Sequence, residues 1–327
     1  MPVRRRPLLA SAIALFAAPR IAFSQSGGKV WRIGVLSAWP RPADGDAGAP
    51  LRQDLQALGH SDKDIVFEGR WGDSRIERLP ALMGELLALN VDLIVTIGGA
   101  AAMAAKLATP TTPIVAVFAG DAVETGLVAS LSRPGGNVTG VNDPAAALSA
   151  KRLEFLKQAA PATKRVAVLY NTGDHAMALR YREVERAAKV LRLSVEPLGI
   201  RVPEDFENAL ETMNRVRPDA VMLLTDALTG LNLKRFVDYA AQHRIPGIYE
   251  FDFVTRAGGL MSYGSDLHDN FRIAAGHISK IIKGAKPSEL PVEQPNRYYL
   301  VINSLTAKTL GLMIPKPLQL RAEEIIR

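Results

Sequence analysis

The chain has 327 residues, and its 48% hydrophobic and 22% charged residues are typical of a globular protein of about two domains. Its formal net charge of +7 includes four arginines from the first 24 residues, and without them 36 basic residues face 33 acidic ones, which predicts no nucleic-acid partner. The absence of cysteine excludes disulfides, thiolate metal sites, cysteine nucleophiles and a lipid anchor on an N-terminal cysteine.

The first 24 residues have the pattern of a secretory signal peptide. Arg4–Arg6 form a positively charged start, and Leu8–Ala18 is an apolar run of about 11 residues, shorter than the roughly 20 that span a bilayer. The small residues Ala22 and Ser24 predict cleavage before Gln25, so we expect a soluble protein exported to the periplasm. Twin-arginine export and general secretion are both compatible with this leader.

The remaining chain alternates predicted strands and helices. Apolar and β-branched runs predict strands at Val30–Leu36, Ile65–Trp71, Val91–Ile97, Pro113–Phe118, Val138–Val141, Arg165–Tyr170, Ser194–Leu198, Ala220–Leu224, Gly247–Tyr249, Gly259–Met261 and Arg297–Ile302. Apolar residues at helical spacing predict helices at Ala49–Leu58, Ile76–Leu89, Ala100–Ala108, Ala122–Leu131, Ala150–Ala159, Ala176–Leu191, Pro203–Val216, Leu231–His243, Asp266–Ile282 and Leu305–Leu310. This alternation predicts parallel sheets with helices on both faces.

Two such series follow one another, and the similar runs Ile33–Ser37 and Val166–Asn171 are the expected first strands of two similar lobes. The predicted fold class is therefore α/β, with two Rossmann-like lobes built on parallel sheets. We assign the N-terminal lobe to residues 29–141 and about 252–284, and the C-terminal lobe to residues 142–250 and about 297–327.

Ligands bind outside the carboxyl ends of the strands in open parallel sheets, so the residues directly after each predicted strand are candidate contacts. These segments are polar, small or aromatic: Ser37–Trp39, Gly98–Ala100, Ala119–Asp121, Asn171–Gly173, Thr225–Asp226, Tyr249–Phe251 and Ser262–Gly264. The pattern predicts a cleft with a few hydrogen-bonding groups between aromatic walls. At any single position, a role in shaping a loop or capping a helix is an equally open alternative.

Other chemistry finds little support in the sequence. The five histidines form no pair at ligand spacing, so we expect no metal site. There is no phosphate-binding loop and no serine nucleophile elbow, and Gly98-Gly99-Ala100 lacks the dinucleotide-binding spacing. We therefore predict neither a cofactor nor catalysis.

Six stretches in order along the chain make a known family recognisable. They are R-P-G-G-N-V-T-G at Arg133–Gly140, K-R-L-E-F-L-K at Lys151–Lys157, R-V-A-V-L-Y-N at Arg165–Asn171, I-P-G-I-Y-E-F at Ile245–Phe251, G-G-L-M-S-Y-G at Gly258–Gly264 and L-V-I-N-S-L-T-A-K-T-L-G-L at Leu300–Leu312. With them the chain resembles the ABC-transporter substrate-binding family that includes tryptophan- and other aromatic-amino-acid-binding members.

The resemblance implies a type I periplasmic-binding fold, in which a hinge of several chain crossings lets two lobes close over a small ligand. It implies an aromatic or amino-acid-like organic ligand, a permease and an ATPase of the inner membrane as partners, and a monomer. Signalling to a membrane receptor kinase by the ligand-bound form is an alternative that the sequence leaves open.

The resemblance also suggests roles for strand-end residues. Trp39, Tyr249 and Phe251 are the candidate walls. The candidate polar contacts are Asp121, Asn142, Asn171, Asp226 and Tyr263, beside Ser37, Gly99, Ala100 and Gly120 at the other strand ends. Relatives often carry a hydroxyl residue where Gly99 stands, so here the turn offers only backbone donors to a ligand carboxylate.

Overall fold

The computed structural model describes residues 29–327, and the predicted signal peptide lies outside the described residues. Its strands are β1 (Trp31–Ser37), β2 (Ile65–Trp71), β3 (Leu93–Ile97), β4 (Ile114–Val117), β5 (Val138–Gly140), β6 (Arg165–Asn171), β7 (Ser194–Ile200), β8 (Ala220–Leu223), β9 (Gly247–Tyr249), β10 (Met261–Ser265), β11 (Tyr298–Asn303) and β12 (Glu324–Ile326). Its helices are α1 (Ala49–Ala57), α2 (Leu79–Ala88), α3 (Gly99–Ala108), α4 (Ala145–Ala159), α5 (His175–Val190), α6 (Phe206–Val216), α7 (Ala227–Leu231), α8 (Leu233–Gln242), α9 (Asp252–Arg256), α10 (Leu267–Ile282), α11 (Ser304–Thr309) and α12 (Lys316–Gln319).

The strands form two sheets. The first has the order β2-β1-β3-β4-β5 and is parallel throughout. The second has the order β12-β11-β10-β9-β8-β6-β7, in which β10 and β11 are antiparallel and the other pairs are parallel. The predicted α/β class with two sheet-based lobes is confirmed. In both sheets the strand order reverses beside the first strand, which opens a crevice at the carboxyl ends.

Each sheet is buried on both faces, which explains the continuous apolar runs in its central strands. In the first sheet α2 and α3 cover one face, while α1 and α10 cover the other. We call this unit lobe 1. In the second sheet α4 and α5 cover one face and α6 and α8 cover the other, and we call this unit lobe 2.

The chain crosses between the lobes three times. The first crossing follows β5, the second follows Ser265 at the end of β10, and the third leads from α10 back to β11. From the sequence we expect the second crossing near residue 250, where the assigned lobe ranges 142–250 and about 252–284 meet. The difference arises because β10 pairs with both β9 and β11 and therefore extends the second sheet before the chain leaves it. At the first crossing Val141 pairs with Glu293 of the third, which joins the two segments.

One predicted helix is wrong. Residues 122–131 form a series of turns, because Gly126 adopts a left-handed conformation with φ of 75° and interrupts any helical run. The side-chain oxygen of Asn142 accepts the N–H of Ala122 at 2.6 Å and holds the start of this segment against the first crossing. The sequence predicts no regular element for the short helices α9 and α12, for the edge strand β12, or for α7 before its last residue, Leu231.

Among residues 29–327, no helix combines the length and the apolar character that crossing a membrane requires.

Candidate functional site

A cavity of about 330 Å³ lies between the two lobes at the carboxyl ends of both sheets. Lobe 1 contributes the segments that follow β1, β3 and β4, and lobe 2 contributes the start of α5 and the segments that follow β8 and β9. This is the position at which open parallel sheets bind ligands. The volume lies in the range of pockets that enclose small organic molecules.

Aromatic rings from both lobes wall the cavity. Trp39, Trp71 and Phe118 belong to lobe 1, and Phe251 and Phe253 belong to lobe 2. The rings of Phe118 and Phe251 meet edge to face across the cleft, with their centroids 6.3 Å apart. Such a lining favours a ligand with a flat apolar body, because aromatic pairs gain from these geometries beyond their buried area.

The turn into α3 presents backbone N–H groups to the cavity. Gly98 has φ of 94°, which favours glycine, and the N–H groups of the first turn of any helix have no partner within that helix. A Cβ atom on Gly99 would lie 2.9 Å from the carbonyl oxygen of Ala119, so this backbone approaches its neighbour too closely for a side chain. The turn is therefore suited to hold an anion by its backbone alone.

A carboxylate from lobe 2, Asp226, lines the same cavity as this turn. Asp226 caps α7 by accepting the N–H of Thr229 at 2.9 Å, and its second oxygen accepts the amide N–H of Asn171 at 2.6 Å. Burial raises the pKa of Asp226. Since both oxygens are held by fixed donors, the carboxylate presents a defined position to a ligand cation.

The cavity floor carries a buried ion cluster. One carboxylate oxygen of Glu250 accepts a hydrogen bond from the guanidinium of Arg180 at 2.8 Å. The guanidinium of Arg152 lies 3.4 Å from the other oxygen. Burial opposes the charge of Glu250, but the two arginines hold its pKa below the ordinary value. Of these groups, Arg180 and Glu250 line the cavity. They supply a fixed pair of charges at its base.

Two further carboxyl groups line the cavity. Burial, reinforced by the charge of Glu250, raises the pKa of Asp143 to about 6. Asp143 lies in the first crossing, and Ser265 of the second crossing donates to it at 3.4 Å. Asp174 caps α5 by accepting the N–H of Ala176 at 2.8 Å, and burial raises the pKa of this carboxyl too. The lining carboxyl groups outnumber the lining guanidinium.

Residues 33–326 match the family described as ABC transporter substrate binding protein. The chain belongs to this family. The described part of this substrate-binding protein, residues 29–327, contains no group of three or more His, Asp or Glu side chains arranged to hold a metal ion.

Several relatives of this substrate-binding protein have a recorded ligand or structure. The tyrosine-binding protein of Clostridioides difficile (strain R20291) is 27% identical over 285 residues, which cover 86% of this chain and 81% of the relative. The ABC domain of Streptococcus pneumoniae solved in complex with L-Trp is 26% identical with a TM-score of 0.81, covering 90% of this chain and 99% of that one.

A conserved domain protein of Vibrio cholerae O1 biovar El Tor strain N16961 shares the fold as well. It is 24% identical with a TM-score of 0.83 and covers 91% of this chain and 100% of that one. The type I periplasmic-binding architecture expected from the resemblance is confirmed by these solved structures and by a solute-binding protein of Agrobacterium vitis with bound allitol.

Seven of the twelve candidate binding residues line the cavity of this substrate-binding protein. They are Ser37, Trp39, Gly99, Ala100, Gly120, Asp226 and Phe251. Strand-end placement brings them together because the two sheets turn their carboxyl ends toward one crevice. Which of them contact a ligand stays a prediction.

The other five lie outside the lining, and three of these are polar residues that hold loops. The carboxylate of Asp121 accepts the N–H of Ala146 at 2.9 Å, and Asn142 holds the turn at residue 122. Asn171 is fully buried behind Asp226 and orients that carboxylate. Each is therefore occupied by a neighbouring segment, which was the alternative left open for single strand-end residues.

The remaining two are tyrosines on the strands themselves. Tyr249 ends β9 and packs in the core of lobe 2, where it is 1% exposed. Tyr263 lies inside β10 and packs edge to face on Phe155, with the ring centroids 4.9 Å apart. Glu250 and Phe251, which directly follow the last residue of β9, line the cavity instead of Tyr249.

Several lining residues were missed. Glu250 lies in the predicted strand-end segment Tyr249–Phe251, in which the sequence predicts the two aromatic residues as contacts. Arg180 lies on the buried face of α5 with Met177 and Val184. An arginine on an otherwise apolar helical face was the available signal, since a buried guanidinium requires a partner. Trp71 ends β2, and Asp143 lies in the first crossing.

Proposed function

We propose that this substrate-binding protein captures an aromatic amino acid between its lobes and delivers it to an ABC importer. One observation carries the proposal: the cavity joins an anion-binding backbone turn of lobe 1, a held carboxylate of lobe 2 and aromatic walls from both. A zwitterion with a flat side chain matches all three features.

The proposed pose follows from charge. The ligand carboxylate meets the N–H groups of Gly99 and Ala100, where the positive end of the α3 dipole favours an anion. The ammonium meets Asp226, whose raised pKa reflects a buried carboxyl without a cation, and a bound ammonium would lower that pKa. The side chain lies between Trp39 and Phe251.

The relatives support the same class of ligand. One is a tyrosine-binding protein, and another was solved with L-Trp. Ligand that bridges the lobes shifts the population toward the closed form, which is the state that a permease would recognise. Function in the periplasm with a permease and an ATPase is part of the proposal.

The test is calorimetric titration of residues 25–327 with L-tryptophan, L-tyrosine and L-phenylalanine, and with two analogues that each lack one charge. Indole-3-propionate lacks the ammonium and tryptamine lacks the carboxylate. We expect the amino acids to bind and both analogues to lose about tenfold or more in affinity, since each leaves one buried polar partner unsatisfied. At 100 times its Kd, a ligand should raise the unfolding free energy by about 2.7 kcal/mol.

Asp226→Asn sharpens the test, with the exposed Asp238→Asn of the same lobe as its control. The first variant should lose affinity for L-tryptophan but much less for indole-3-propionate, because the ammonium is the only ligand group that the lost charge faces in the proposed pose. A protein that binds sugars tightly and no aromatic amino acid would overturn the proposal. Equal affinity for L-tryptophan and both analogues would overturn the pose.

A further inference from the structure

Lobe 1 touches lobe 2 through the short helix α7, which begins directly after Asp226. Two contacts reach it. The hydroxyl of Ser74 donates to the carbonyl oxygen of Ala227 at 2.8 Å, and the indole of Trp39 lies against Gly230. The helix that presents the proposed ligand carboxylate is therefore also a surface on which lobe 1 rests.

The two contacting residues of lobe 1 are held together. The N–H of Trp39 donates to the hydroxyl of Ser37 at 3.1 Å, and the N–H of Ser74 donates to the carbonyl oxygen of Ala38 at 2.7 Å. Ser74 has φ of 63°, a strained conformation for a residue other than glycine, which persists only where neighbouring contacts impose it. The segments at 37–39 and 72–75 thus approach α7 as one unit.

Gly230 leaves room for the indole. A Cβ atom built at this position would overlap Cη2 and Cζ3 of Trp39, so a side chain there and the present ring position exclude each other. The indole cannot retreat freely, because its backbone is held by Ser37 and its ring packs on the core of lobe 1. The same indole walls the ligand cavity.

We infer that Gly230 is a determinant of ligand affinity, because it leaves the space in which the Trp39 indole packs when the lobes close over the cavity. The inference rests on the proposed function for its ligand. Gly230 touches no ligand in the proposed pose and acts as a positioning residue through Trp39. The lobes can close fully only if the surface of α7 leaves space for the indole. The hydrogen bond from Ser74 to Ala227 adds a polar contact at the same helix.

The test is Gly230→Ala, with Gly84→Ala as the matched control. Both glycines lie in helices without positive φ, but a Cβ atom on Gly84 would meet nothing within 4 Å. We expect Gly230→Ala to lower the affinity for L-tryptophan by about tenfold or more, while Gly84→Ala leaves it unchanged. The thermal midpoint of the ligand-free variant should not fall, because alanine favours helix over glycine, whereas a merely structural role predicts a fall.

A double-mutant cycle identifies the ring as the cause. In a Trp39→Ala background the obstructing indole is gone, so Gly230→Ala should lower affinity no further. An unchanged affinity of Gly230→Ala would overturn the inference. So would an equal loss in the presence and absence of Trp39.

A closure measurement separates this inference from the proposed function. The chain has no native cysteine, so spin labels at Lys63→Cys in lobe 1 and Lys189→Cys in lobe 2 report the distance between the lobes. We expect a closed population that Gly230→Ala loses and Gly84→Ala retains. If the three proteins show this pattern but wild type binds no aromatic amino acid, the proposed function alone is overturned. If wild type binds L-tryptophan but Gly230→Ala closes to the same extent as wild type, the inference alone is overturned. If wild type never closes, both are overturned.

Discussion

Replacing Glu250 by glutamine should destabilise lobe 2 severely. Glu250 is the carboxylate between two buried guanidiniums, with Arg180 at 2.8 Å and Arg152 at 3.4 Å. Arg152 is fully buried, and Arg180 is 4% exposed. Glutamine keeps the shape of the side chain and removes its charge, so the substitution tests electrostatics with little change in packing.

The magnitude follows from the charges left behind. Removing one partner of a buried ion pair costs about 3–5 kcal/mol, because the other charge stays buried without compensation. Asp143 lies beside the cluster, and its pKa is raised to about 6 partly by the charge of Glu250. Because that pKa lies below pH 7, Asp143 is already largely ionised at neutral pH and compensates part of the arginine charge, so we expect a loss near the lower limit, about 3 kcal/mol.

The assay is urea unfolding of the ligand-free protein at pH 7, followed by circular dichroism, together with the thermal midpoint. A loss of 3 kcal/mol lowers the midpoint of a domain of this size by about 6–12 °C. Glu211→Gln on the exposed face of α6 is the control, and its unfolding free energy should change by less than about 0.5 kcal/mol. If Glu250→Gln lowers the unfolding free energy by less than about 1 kcal/mol, the two arginines do not require the charge of Glu250 and the predicted electrostatic cost is refuted.

Three further predictions concern other parts of the site and the hinge. For Asp143, whose pKa rises from 3.8 to about 6 on folding, the free energy of unfolding should fall by about 2 kcal/mol as the pH rises from 4 to 6. Asp143→Asn should remove that fall from urea unfolding curves taken across this range, and an equal fall in both proteins would contradict the prediction. Gly140→Ala should yield little folded protein by circular dichroism, because Gly140 has φ of 139° and a Cβ atom would overlap the carbonyl oxygen of Ala116; a variant with wild-type melting would disprove the strain. Phe251→Ala should weaken L-tryptophan binding about tenfold or more in calorimetry by removing a cavity wall, and wild-type affinity would exclude Phe251 from the site.

Element positions were predictable where local sequence and tertiary environment agree. β2 and β9 have the predicted bounds, because each is a short run rich in β-branched or aromatic residues that stops at a glycine or a charged residue, Gly72 after β2 and Glu250 after β9. The predicted helix at residues 122–131 failed because composition favours helix there while Gly126 and the contact from Asn142 impose turns. α7 could not be read from its five residues, since its start depends on the cap that Asp226 provides.

The site was predictable at the level of strand ends and not at the level of single side chains. Trp39, Asp226 and Phe251 line the cavity, as their positions after strands indicate. Asn171 occupies an equivalent position but turns to Asp226, because a buried amide must satisfy its hydrogen bonds locally. Sequence spacing says where a strand ends, and the direction of the side chain depends on which partners surround it.

The amino-acid sequence by itself determined the two α/β lobes, the edge at which they meet and the family, because periodicity, turn residues and ordered motifs are local properties of the chain. Only the tertiary structure decided which charges share the cavity floor and which surfaces touch across the cleft. Two examples join residues that are far apart in the chain: the ion cluster of Arg152, Arg180 and Glu250, and the packing of the Trp39 indole on Gly230. Such contacts depend on how the lobes pack, and no pattern within one element encodes them.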